Sequence, residues 1–134
     1  MTTTSPASWP LRVAAAVAVA FGAMTILSGG TVLFGGDAAR EAAGKVVPFV
    51  LWFNFLSGFV YVVAGLAIGF GRPWAARLSV GLAIAIALVL AAFGLHVVRG
   101  GAFEPRTVIA MTVRLVVWIA IGLVVSTRRA GIRR

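Results

Sequence analysis

Arg114 is the residue of this sequence whose chemistry most needs an explanation. It stands in the stretch IAMTVRLVVW, residues 109–118, where every other residue except one threonine is apolar. A charge at membrane depth costs roughly 2.5–3.5 kcal/mol on insertion scales, and arginine does not lose its proton in proteins. Arg114 is therefore expected to have a partner. The candidates are protein acceptors, headgroups that the side chain reaches by snorkelling, and a bound anion.

Polar side chains in the other apolar segments are the candidates to share a site with Arg114. Counted inward at 1.5 Å per residue, Asn54 and Arg114 are both expected roughly 10 Å below the same face of the membrane. Amide, hydroxyl and imidazole groups would add hydrogen bonds to an anion held by the guanidinium. The predicted ligand cluster consists of Arg114, Asn54, Tyr61, His96 and Thr25.

Groups that commonly perform chemistry are scarce in this chain. The three acidic residues are the candidate charge partners of Arg114, namely Asp37, Glu41 and Glu104. With no cysteine and a single histidine, the sequence predicts neither a metal site nor a cofactor. It also contains no nucleophile–base pair and no phosphate-binding loop, so we do not expect an enzyme.

Composition places the chain among integral membrane proteins. Of its 134 residues, 61% are hydrophobic and 11% are charged, whereas soluble domains are about 45–50% apolar and about 25% charged. The mean hydropathy is +1.07. The net charge of +9 comes from basic residues that flank apolar blocks, so we expect membrane lipids as partners and no nucleic acid.

Four apolar blocks are long enough to cross the hydrocarbon core, which takes about 20 residues. They cover residues 11–34, 46–70, 78–98 and 107–126. The connections GRPWAAR (71–77) and RGGAFEPR (99–106) are short, and Pro105 is typical of a helix start. The sequence predicts an all-α fold, in which residues 1–134 form one up-down bundle of four transmembrane helices.

Each block has one face of small or polar residues, which we expect to point into the bundle because close helix contacts in lipid favour small side chains. In the second block this face contains Asn54, Ser57, Gly58, Tyr61, Gly65 and Gly69. In the third block it contains Gly81, Ala85, Val89, Ala92 and His96.

The distribution of basic residues predicts how the chain is oriented. Seven arginines lie on the side of the two termini, at positions 12, 72, 77, 128, 129, 133 and 134. Four basic residues lie on the opposite side, at positions 40, 45, 99 and 106. The positive-inside rule then puts both termini in the cytoplasm. Alanine, valine and arginine richness is typical of a GC-rich bacterium, so we expect a multi-pass protein of the bacterial inner membrane.

Three functional hypotheses follow from these features. The first is a small binding or accessory protein whose polar pocket surrounds Arg114 in the outer half of the membrane. The second is a small transporter or channel subunit that acts as a homo-oligomer. The third is a structural subunit of a larger membrane complex.

Overall fold

The computed structural model describes the backbone of residues 9–132 and the side chains of residues 9–128; this part of the chain is helical, without strands. Its helices are α1 (Trp9–Phe34), α2 (Asp37–Ala43), α3 (Pro48–Gly69), α4 (Ala75–Val98) and α5 (Pro105–Ile132). All except α2 are long and apolar enough to cross a membrane. The prediction of an all-α bundle with four transmembrane helices is confirmed, and the protein is a multi-pass membrane protein.

The helices extend beyond several of the predicted boundaries. α4 begins at Ala75 instead of residue 78, and α5 continues to Ile132 instead of ending at residue 126. Hydropathy marks the part of a helix that lies in hydrocarbon, whereas backbone hydrogen bonds continue into the polar flanks. Proline occupies the first position of both α3 and α5, where its missing N–H has no helical acceptor to lose.

The two ends of the bundle differ in what connects the helices. The loop end contains residues 35–47, which include α2, and residues 99–104. The terminal end contains the start of α1, the turn at residues 70–74 and the end of α5. Four of the orienting arginines lie there within the described side chains; those of Arg129, Arg133 and Arg134 lie outside the described part.

α1 and α3 form the most closely packed pair, because glycines let their backbones approach. A Cβ atom added at Gly22 would lie 2.7 Å from the carbonyl oxygen of Gly58, and one added at Gly65 would lie 2.6 Å from a methyl group of Val19. Gly22, Gly58 and Gly65 are all buried. The prediction that the small faces of these two helices point inward is therefore correct for this pair.

The corresponding prediction for α4 is wrong. Gly81 and Ala92 are exposed, and a Cβ atom added at Gly81 would meet nothing within 4 Å. The buried residues of α4 are Ala75, Ser79, Leu82, Ile86 and Phe93. α4 packs mainly on α5, less extensively than α1 packs on α3, and Gly81 takes no part in a close contact.

The centre of the bundle is filled by aromatic rings. Tyr61 of α3 and Trp118 of α5 are both 0% exposed, and their ring centroids lie 4.9 Å apart. α1 and α5, by contrast, make the least extensive of the contacts between spanning helices that lie side by side. We call this contact the α1–α5 seam, and it borders the site described next.

Candidate functional site

Arg114 is half-buried, and the described chain provides no acceptor for it. Its Nε atom is buried without a hydrogen-bond partner. Over residues 9–128, no carboxylate pairs with the guanidinium, and its electrostatic neighbour is Tyr61. Tyr61 lies thirteen residues into α3, deeper in the bundle than Asn54, and its hydroxyl makes no hydrogen bond to the guanidinium. The protein thus leaves a cation unpaired at membrane depth.

The α1–α5 seam contains a groove of about 290 Å³ beside Arg114. α1 contributes Phe21, Met24, Thr25 and Ser28 to its lining, and the α5 residues that line it include Val113 and Arg114. Its walls are therefore apolar, with two hydroxyls and one cationic group. Met24 is 68% exposed and Val113 is 45% exposed, so the groove opens on the side of the bundle that faces lipid.

The polar groups of the groove lie at one depth. Arg114 lies nine residues after the start of α5 and Thr25 lies nine residues before the end of α1, about 14 Å along each helix. The 24-residue span Pro105–Arg128 is about 36 Å long, so if it is centred on a core of about 30 Å, Arg114 lies about 11 Å inside the hydrocarbon. The site is in the half of the bundle nearer the loop end.

Three more buried polar atoms near the centre lack partners in the described structure: Asn54 Oδ1, Tyr61 Oη and Trp118 Nε1. Ser57 is also a polar neighbour of Tyr61, but its hydroxyl donates to the carbonyl oxygen of Asn54 at 3.0 Å. Asn54 lies two helical turns from Tyr61, toward the loop end. Unpaired polar atoms in a dry interior cost about 1–3 kcal/mol each, so this part of the bundle is suited to a polar guest or to water.

His96 does not contribute its ring to the groove. Its Nε2 atom lies 3.0 Å from the carbonyl oxygen of Ala102, and its ring stacks on Phe93 with a centroid distance of 6.4 Å. A Cβ atom at Gly101 would collide with the imidazole, so the glycine lets the 99–104 segment fold over the histidine. In this structure, the contacts of His96 hold the loop against the end of α4.

The acidic residues proposed as charge partners lie at the loop end. Glu104 Oε1 accepts a hydrogen bond from the backbone N–H of Lys45 at 2.8 Å, while Asp37 and Glu41 are exposed on α2. The guanidinium of Arg106 donates to the carbonyl oxygens of Ala42 and Ala43, at 3.4 Å each. Glu104 and Arg106 therefore join the two loops, and none of the three acids pairs with Arg114.

Of the α1 wall, only Thr25 belongs to the predicted cluster; Phe21, Met24 and Ser28 do not, nor does Trp118 with its unpaired indole N–H. Ser28 follows Thr25 by three residues, which places both hydroxyls on one face of α1. This spacing indicates that Ser28 belongs to the same site as Thr25. The pairing of α1 with α5 at this seam had no such signal, because contacts between helices distant in sequence leave no local periodicity.

The fold and site together define a multi-pass helical membrane protein with an unpaired arginine beside a lateral groove. Over the described residues, no group of three or more His, Cys, Asp or Glu side chains is positioned to hold a metal ion. No protein-family model matches the chain, and comparison with curated proteins and with solved structures finds no significant match.

Proposed function

We propose that this chain is a small membrane-embedded binding or accessory protein that holds an oxyanion, a carboxylate or a phosphate, at Arg114. The observation that carries the proposal is the unpaired guanidinium that lines the groove, with no acid or other acceptor for it among residues 9–128. The planar fork of arginine matches two oxygens of a carboxylate or phosphate. A bound anion would offset the cost of keeping this charge at membrane depth.

We also propose that the protein is in a bacterial inner membrane, with both termini in the cytoplasm. The support is the excess of arginine on the side of the termini and the presence of every acid on the other side. In this orientation the groove belongs to the outer half of the membrane. The ligand would then come from the outer leaflet or from the space outside it.

The proposal is tested with Arg114→Met and Arg114→Lys, which remove the charge or replace the fork by a single ammonium group. The protein is purified with its native lipids, and the bound species are measured by native mass spectrometry. We expect the wild-type protein to retain anionic adducts, Arg114→Lys to retain fewer, and Arg114→Met to lose them. The control is Arg128→Met, because Arg128 is exposed at the terminal end and far from the groove along α5.

If Arg114→Met keeps the same adducts as the wild type and unfolds with a higher free energy, Arg114 is not an anion site. A structural role would then be contradicted as well, because removal of a useful contact should lower stability.

The alternative is an oligomeric transporter or channel subunit. It requires a polar path through the terminal half, where the buried hydroxyl of Ser79 is already bonded to the carbonyl oxygen of Ala75 at 2.8 Å. Solute flux in liposomes, together with an oligomer counted in native membranes, would favour this alternative over a binding protein.

A further inference from the structure

We infer that the ligand of the α1–α5 groove is a single-chain amphiphile with a carboxylate head, of the long-chain fatty-acid type, that enters sideways from the bilayer. This inference rests on the proposed anion site at Arg114 and adds the nature of the ligand and its route. It has three supports: the amphipathic lining of the groove, its small size with a lateral opening, and the depth of the cation.

The lining of the groove has one charged end and apolar walls. Arg114, with Thr25 and Ser28, supplies hydrogen-bond donors for a head group, while Phe21, Met24 and Val113 supply apolar surface. A small hydrophilic anion would leave the apolar walls unused, whereas a hydrocarbon chain attached to the anion would cover them. The complementarity of charge and surface therefore favours an amphiphile over a free inorganic ion.

The size of the groove favours a ligand with a single hydrocarbon chain. Its volume of about 290 Å³ is at the lower limit of small-molecule sites, which span roughly 300–1,000 Å³. This is room for one head group and the first part of one chain, and the rest of the chain can remain among the lipid tails through the exposed side at Met24.

The depth of Arg114 favours a carboxylic acid over a phosphate. About 11 Å of hydrocarbon separates the guanidinium from the loop-end surface. A carboxylic acid can cross this distance in its neutral form, because protonation removes the cost of burying a charge. A phosphate monoester keeps at least one negative charge at neutral pH. On binding, the acid gives its proton to bulk water and the carboxylate pairs with Arg114; no other bond changes.

The experiment uses the full chain in lipid nanodiscs and a palmitic acid analogue with a diazirine in its chain. After illumination, labelled peptides are identified by mass spectrometry. We expect labels on the groove segments of α1 and α5, competed by unlabelled palmitic acid but not by hexadecanol or acetate. Because hydrogen bonds to a charged group contribute about 1.5–3 kcal/mol, Arg114→Met should weaken this competable labelling by about tenfold to a hundredfold.

A second variant tests the binding of the ligand's hydrocarbon chain and leaves Arg114 unchanged. Met24→Trp adds bulk at the mouth of the groove, and its matched control is Leu27→Trp on the same helix, since Met24 is 68% exposed and Leu27 is 70% exposed. We expect Met24→Trp to reduce labelling and Leu27→Trp to leave it unchanged. Because both side chains point outward, both variants should fold.

Three outcomes would overturn the inference. Equal labelling by the acid and by a hexadecanol diazirine would exclude a role for the head group. Competition by hexadecyl phosphate but not by palmitic acid would assign the site to a phosphate head. Arg114-dependent adducts in native mass spectrometry without any groove labelling would keep the anion site and reject the fatty-acid ligand, which separates this inference from the proposed function.

Discussion

Tyr61 is fully buried, and its hydroxyl has no hydrogen-bond partner. Its ring packs against Trp118, while its hydroxyl is near the guanidinium of Arg114. Both α3 and α5 begin at the loop end, and helical side chains lean toward the N terminus, so the two side chains incline in the same direction. The ring of Tyr61 contributes packing, whereas its hydroxyl contributes little stability.

The pair of variants Tyr61→Phe and Tyr61→Ala separates these two contributions. We expect Tyr61→Phe to keep the free energy of unfolding or raise it by about 1 kcal/mol, because an unpaired buried hydroxyl is costly. Tyr61→Ala should lower it by about 3–5 kcal/mol through loss of the ring. Denaturation in mixed micelles measures both. A loss above about 1 kcal/mol for Tyr61→Phe would mean that water or a ligand satisfies the hydroxyl.

At the scale of helices, the bundle contains two kinds of contact. α1 and α3 approach through glycines, so their separation is set by backbone contacts that cannot yield easily. α4 and α5 pack less extensively, and the contact of α1 with α5 is less extensive still. The groove lies at this last contact, the α1–α5 seam.

Two glycine substitutions test this difference directly. Gly22→Ala should lower the free energy of unfolding by about 1–3 kcal/mol, because the new methyl group would press on the carbonyl oxygen of Gly58. Gly81→Ala should leave it unchanged or raise it by up to about 1 kcal/mol, since alanine favours helix and the space there is open. Equal effects of the two substitutions in the same unfolding assay would refute the close α1–α3 contact.

At the loop end, a separate polar contact holds residues 35–47 to residues 99–106. Glu104 reaches the backbone of Lys45, and Gly44 beside it has a φ of 78°, in the region that favours glycine. A side chain at position 44 would also collide with Glu104. Glu104, one of the three acids that the sequence offered as charge partners of Arg114, therefore has a different role, joining the two loops at the end of the bundle.

For the whole molecule, the four spans put the N-terminal end of α1 and the C-terminal end of α5 on the same side of the membrane. The distribution of basic residues predicts that this side is the cytoplasmic one. Ala38 on α2 and Arg128 near the end of α5 are exposed at opposite ends of the bundle. These two positions therefore report orientation without disturbing the interior.

Single cysteines at these positions provide the test, since the natural chain contains none. We expect Ala38→Cys to react with a membrane-impermeant maleimide added to intact cells, and Arg128→Cys to react only after the membrane is opened. The opposite pattern would invert the topology and move the groove to the cytoplasmic half. Labelling of both cysteines from one side would contradict the four-span architecture itself.

The sequence by itself determined that the chain is helical, that it has four spans and that Arg114 lies at membrane depth. Hydropathy and the length of a helix across a bilayer are local properties, so residues 105–128 predict a span whatever their neighbours are. The burial of Gly58, Tyr61 and Gly65 also followed from the helical period, because this face of α3 differs sharply in size and polarity from the rest of the helix.

Only the tertiary structure decided which helices meet and which polar groups share a site. Gly81 belongs to the small face predicted for α4, yet it is exposed, because α4 turns another face, with Leu82 and Ile86, into the bundle. Thr25 and Arg114 line one groove, while His96 and Glu104 bond to loop backbone instead. These outcomes depend on how the surfaces of two helices fit together, and the residue pattern of one helix does not specify the surface of the helix that packs against it.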